Sequence, residues 1–355
     1  LGGYTLNLSG AGSTISGTIS GTGSLALTGG NQALDSGAAL NEARWSTSGS
    51  DVASINENLS FGGTYSEGGS ATLTIASGDK LSLTGTATLD ATVNGAGTVA
   101  LSNATLSGLS VGGTVTVNDV GTVLQTGQIT LGDAASNAAT LSIASGATYE
   151  INANVGIGIG TSAATAIDDS GLLIKNGGTG TSKIAVGIVD TGHIEASTGT
   201  LDLVQAVTGT GAMQVDSGAT LEIDASAAST LSFLLNGSNA TLALASPSSF
   251  AATISGFAAS DDIDLLKIKA TSAVLESGDQ LLITNGANTV ATLQLSGTYA
   301  GYTFNTVSDG HGGTDITATA PAGHTGIGAN EYDPVALDAF VHNRLDAHVS
   351  DWHLI

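Results

Sequence analysis

Four stretches of the chain carry residues whose types and spacing could do chemistry. Gly108-Leu109-Ser110-Val111-Gly112 has the glycine-flanked serine of a nucleophile elbow, a motif that needs a strand before it, a helix after it, and histidine and acid partners. GGTVTV comes next and reads as a strand, so Ser110 is not expected to act as a nucleophile. Gly158-Ile159-Gly160-Thr161-Ser162-Ala163 has the glycine spacing of a dinucleotide fingerprint, but no βαβ unit surrounds it. DGHGGTDIT (309–317) approximates the glycine-rich nonapeptide that binds Ca²⁺, with Asp309 and Asp315 as the candidate ligands. His311 stands where a second glycine belongs and no tandem copy follows. Such sites are built from half-sites of adjacent copies, so a glycine-rich turn is the plainer reading. His342 and Asp346, four apart near the C-terminus, have the spacing of a helical metal pair, or of solvated polar residues.

Catalysis on polysaccharide would need a different set. An eliminating enzyme wants Arg or Lys beside acidic groups to stabilise a developing anion. Arg44 and Arg344 lie outside the regular pattern, and Lys183, Lys267 and Lys269 are scattered. A glycosidase needs only two carboxylates on one face, and 30 acidic residues supply many pairs. Solvated acid pairs are the commoner outcome. No enzyme activity is expected, with a polysaccharide lyase or hydrolase as the alternative.

The elements that would position any of these groups are strands. LTIASGDKLSL (73–83), LSIASGATYEI (141–151) and MQVDSGATLEI (213–223) share one eleven-residue form. Apolar residues alternate with polar ones, Ser-Gly interrupts, and the alternation resumes. That is strand, tight corner, strand, with glycine supplying the corner. A Gly-x-Gly step into a strand recurs as SGTGSLALTGG (20–30), NGAGTVALSNATL (94–106) and TGTGAMQV (208–215). Self-similar short strands almost free of aromatics predict a parallel β-solenoid, right-handed, over residues 1–321. The starts of the three copies, 68 and 72 residues apart, suggest whole numbers of coils of roughly 20–25 residues. About 14 coils at roughly 4.8 Å each would make a rod on the order of 65 Å long.

Two segments depart from the pattern. Residues 41–70 concentrate Arg44, Trp45, Phe61 and Tyr65, which suggests a loop or cap packed on the side of the rod, or an exposed contact loop anchored by Trp45. Residues 322–332 read as a linker. Residues 333–355 read as an amphipathic helix, with Asp333 as N-cap, Pro334 at its first position, and Leu337, Phe340, Val341, Leu345 and Trp352 on one apolar face. This helix would cap the rod or dock on a neighbouring subunit.

The formal net charge is −23 and Cys is absent. Such a charge repels phosphate backbones and anionic lipid, so nucleic acid and membrane surfaces are poor partners. No apolar run is long enough for a spanning helix. Leu1 is not an initiator, so the chain reads as processed or as part of a longer one, and no export signal lies within it.

From Gly180 to Pro321 the phrasing is familiar. IVDTGHIEASTGTLDLVQAVTGTGAMQVDSGATLEI, FAATISGFAASDDIDLLKI and YTFNTVSDGHGGTDITATAP resemble the large secreted bacterial β-strand-repeat proteins, the autotransporter-passenger-like and type I-secreted adhesins. The resemblance implies export, a cell-surface or extracellular location, and a structural or adhesive role. The implied partners are other copies of the chain, as oligomer or filament, or cell-surface and matrix components. No β-barrel translocator follows the repeats, which leaves type I secretion or another route open.

Overall fold

The computed structural model describes residues 1–10, 12–133, 137–161 and 164–322. One coil gives the plan. Thr200–Leu203 lies on face I, Val207–Gly209 on face II and Ala212–Asp216 on face III, and Thr220–Ile223 then returns to face I one coil on. Each strand pairs in parallel with its equivalent: Thr200 with Thr220, Ile188 with Val207, His193 with Ala212. About 13 coils stack this way, so the protein is a parallel β-solenoid. The coil length varies from 17 residues (Thr86 to Asn103) to 28 (Ile129 to Ile157). Corners take up the difference and the pairing register is kept.

Alternation makes the core. On face III the inward column runs Leu25, Trp45, Tyr65, Ala87, Ala104, Val123, Tyr149, Leu173, Ile194, Met213 and Phe233, each the register partner of the next. All are buried. Each side chain therefore meets its counterparts above and below, and apolar area is removed from water at about 25 cal/mol per Å².

The structure corrects the reading of residues 41–70. Ala39–Ile55, Leu59–Phe61 and Thr64–Glu67 are ordinary strands of the stack, and Trp45 is fully buried. Its ring meets Phe61 edge-on at 5.7 Å and Tyr65 at 4.7 Å. The large side chains mark a place where the coil interior is filled by aromatics, with Ala87 and Ala104 in the same column beyond them. Trp45 is no surface anchor.

The three eleven-residue copies are corners, and each sits at a different one. Residues 73–83 pass from face I to face II, 141–151 from face II to face III, and 213–223 from face III to face I. Their separations thus hold three coils and part of another, not a whole number. The parallel stack also ends earlier than residue 321. After Leu265 the chain forms antiparallel strands Ser272–Glu276, Gln280–Asn285 and Asn288–Ser296, the last of which also pairs in parallel with Thr253–Ser255 through Leu295 and Ser296. Thr314–Thr319 then lies antiparallel to Asp262–Leu265 and to Thr303–Val307. Phe257, Tyr299, Tyr302 and Phe304 pack together at this end. These strands close that end of the sheet, an edge that would otherwise offer unpaired N–H and C=O groups. The helix expected over 333–355, with Leu337, Phe340, Val341, Leu345 and Trp352, lies outside the described residues, as does nearly all of the linker.

Candidate functional site

Polar side chains enter this rod in two ways, and only one of them makes a site. The first is inward, at corners. On face II the inward position at the end of each strand holds Asp119, Ile143, Asp169, Asp190 and Gly209 in register. Each aspartate accepts the N–H two residues ahead, from Gly121, Gly171 and Gly192, at 2.8–2.9 Å. Corners that present carbonyls instead hold a donor. Lys175 Nζ donates to the Gly177 and Gly178 oxygens at 2.6 and 3.2 Å, and Gln125 Nε2 to those of Gly127 and Gly156 at 2.9 and 2.7 Å. Buried polar groups need partners, and here the local backbone supplies one for Oδ1 of each aspartate, while Oδ2 of Asp119, Asp169 and Asp190 accepts no hydrogen bond. Burial raises the carboxyls of Asp119, to about 6, and of Asp169 and Asp190, and it lowers the Lys175 ammonium. Asp169-Ser170-Gly171 and Asp190-Thr191-Gly192 stack as a carboxyl pair, with the Ser170 and Thr191 hydroxyls 2.9 Å apart. Both carboxyls are buried in the rod, out of reach of a substrate.

The second way is outward, on face I. Lys183 pairs with Asp202, Asp202 with Glu222, Glu222 with Ala243, Ala243 with Asp264, and Asp264 with Asp315. One outward column therefore carries a cation, then acids, along several coils. Lys183 Nζ donates to Asp202 Oδ2 at 2.8 Å, and the Asp202 side chain is only 5% exposed. One oxygen from each of Asp202, Glu222 and Asp224 lies within 4.8 Å of the others. Burial, then the neighbouring Asp202 and Asp224, raises Glu222 to about 7. Burial also raises Asp202, against the opposing pull of Lys183. A groove of about 590 Å³ opens here, lined by Lys183, Glu222, Asp224 and Lys267 with Leu266 and Ile268 as apolar wall. A smaller one of about 310 Å³, between Gln128 and Ala185, shares Lys183.

The column ends at the stretch expected to bind Ca²⁺. Asp315 stands opposite Asp264, and burial, then Asp315, Asp309 and Asp262, raises Asp264 to about 6. Asp309 is occupied otherwise: its carboxylate accepts the N–H groups of His311 and Gly313 at 2.7–3.0 Å. Desolvation opposes ionisation of Asp309, but these donors outweigh it and hold the carboxyl below its ordinary value. The stretch works as a turn braced by its own aspartate. Ser110 lies in a parallel strand, Ser110–Val111, and the next element is the strand Thr116–Gln125. Gly158 lies in the strand Ile157–Ile159. Among the described residues neither is followed by the helix its motif requires, and His342 and Asp346 lie outside the described residues.

The sequence reading missed Asp202, Glu222 and Asp224, and it left Lys183 and Lys267 scattered. The signal was present. TLDL at 200–203 and TLEI at 220–223 are twenty residues apart, one coil, which stacks Asp202 on Glu222. Comparison of the chain with protein-family models, curated proteins and solved structures gave no match.

Proposed function

We propose that the protein is an extracellular structural or adhesive rod of a bacterial surface, whose copies join into oligomers or filaments or bind other surface and matrix components. The observation that supports this reading is the stack of about 13 parallel coils, whose inward side chains are mostly apolar and stacked on their register partners. A fold of that kind resists bending and holds its outward columns at fixed spacing. The resemblance to secreted β-strand-repeat proteins supports export, and the acidic surface suits a chain that must stay unaggregated. Among the described residues no helix is long and apolar enough to cross a membrane. We take the coils to be right-handed, as parallel crossovers almost always are. Electron microscopy of the purified chain is expected to show rods with a solenoid section of roughly 60 Å, about 13 coils at about 4.8 Å, singly or joined. Deleting residues 333–355 is expected to leave the rod and abolish joining. Compact particles without a long axis would remove the reading.

A second reading, a polysaccharide-acting solenoid enzyme, has one observation in its favour: the groove on face I gathers Asp202, Glu222, Asp224, Lys183 and Lys267. Assays on acidic and neutral polysaccharides decide it. Product that disappears in Glu222→Gln would replace the structural reading.

A further inference from the structure

We propose that Asp202, Glu222 and Asp224 form a site for a hard divalent cation of the calcium class, which ties two adjacent coils of face I together. Asp202 belongs to one coil, Glu222 and Asp224 to the next. Three carboxyl oxygens within 4.8 Å of one another repel strongly in a half-buried setting, and among the described residues one ammonium, Lys183, stands within ion-pair distance of them. A second observation points to a ligand. Asp202 is almost wholly buried, yet its Oδ1 accepts no hydrogen bond. Lys183 holds only Oδ2. Leaving a buried carboxylate oxygen without a donor is costly, and a cation shared with Glu222 and Asp224 would satisfy it.

The donor set favours calcium over magnesium: Ca²⁺ accepts several carboxylate oxygens in irregular geometry, whereas Mg²⁺ demands a near-ideal octahedron and gives up its water reluctantly. Three carboxylates held by strand pairing on two coils suit the ion that tolerates irregular geometry. Water from the open side of the groove would complete the coordination. Lys183 competes for Asp202, so its ammonium acts as the internal counter-ion of the empty site.

The test is calorimetry and thermal melting of the full chain with CaCl₂ or MgCl₂ at fixed ionic strength. The expected result is one saturable Ca²⁺ site that raises the melting temperature, with Mg²⁺ at least about tenfold weaker. The double variant Glu222→Gln, Asp224→Asn should lose that site and the rise. Asp168→Asn, an exposed acid on face II, should keep both. Lys183→Met should tighten Ca²⁺ binding, because the competing ammonium is gone. The proposal is overturned by the absence of a saturable response in the native chain. An equal response to both ions, a double variant that responds like the native chain, or weaker binding in Lys183→Met would each overturn it too.

Discussion

Whether a side chain points inward or outward decides what each residue of this chain can do. Trp45 illustrates the inward case. Its size and position in a stretch unusually rich in aromatics suggested a contact residue, but the strand period turns it into the column between Leu25 and Tyr65. Trp45→Ala should therefore destabilise the fold by about 3–5 kcal/mol, the usual cost of emptying a large aromatic site, as read by chemical denaturation. A loss below about 0.5 kcal/mol, the scale of ordinary surface changes, would mean that the ring is not in the core. Glu222 illustrates the outward case. In isolation it is one carboxylate among many; burial, then Asp202 stacked against it and Asp224 beside it, raises its proton affinity.

At the scale of the element, the corner is the unit this sequence repeats. The alternation and the Ser-Gly steps were legible: Met213, Val215, Leu221 and Ile223 face inward, and Gly209 takes φ +112°. The assignment of copies to coils was not legible, because an eleven-residue phrase fixes a bend and two strands without saying which of three bends it is. The face I column was equally hidden, since residues about twenty apart meet only once the coil length is known, and that length varies. The antiparallel strands after Leu265 also escaped, because alternation is the same in parallel and antiparallel strands. Corners differ in what they tolerate. A Cβ on Gly209 would stand 1.9 Å from the Asp190 carbonyl oxygen, and one on Gly211 2.3 Å from Asp190 Oδ2. A Cβ on Gly218 meets nothing, although φ is +73° there. Gly218→Ala should cost about 1–2 kcal/mol, the left-handed backbone penalty alone. Gly209→Ala should cost roughly 3 kcal/mol or more, because two coils must move apart. Equal melting temperatures for the two variants would argue against close contact between coils at Asp190.

At the scale of the whole molecule, the buried carboxyls set the response to pH. Burial raises Asp119 to about 6, Glu67 to about 8 and Glu222 to about 7. Each binds its proton more tightly folded than unfolded. Their contribution to stability is complete below the ordinary carboxylate range and is lost as pH rises through about 4 to 8. The rod should melt at least about 5 °C higher at pH 5 than at pH 8, allowing for its size, the reverse of common acid denaturation. Asp190→Asn, which keeps an acceptor for the Gly192 N–H, should flatten that profile. A melting temperature that climbs steadily from pH 5 to pH 8 would contradict the assignment. The three interchangeable corners carry a last consequence, for how such a chain changes length. Recombination between the copies at 73–83 and 141–151 would delete 68 residues and leave an intact corner phrase at the junction. The fold would close again, but everything downstream would be rotated by one face. A lineage that lengthens or shortens its rod by this route keeps its core and reshuffles its outward ladders, so surface chemistry would diverge faster than architecture.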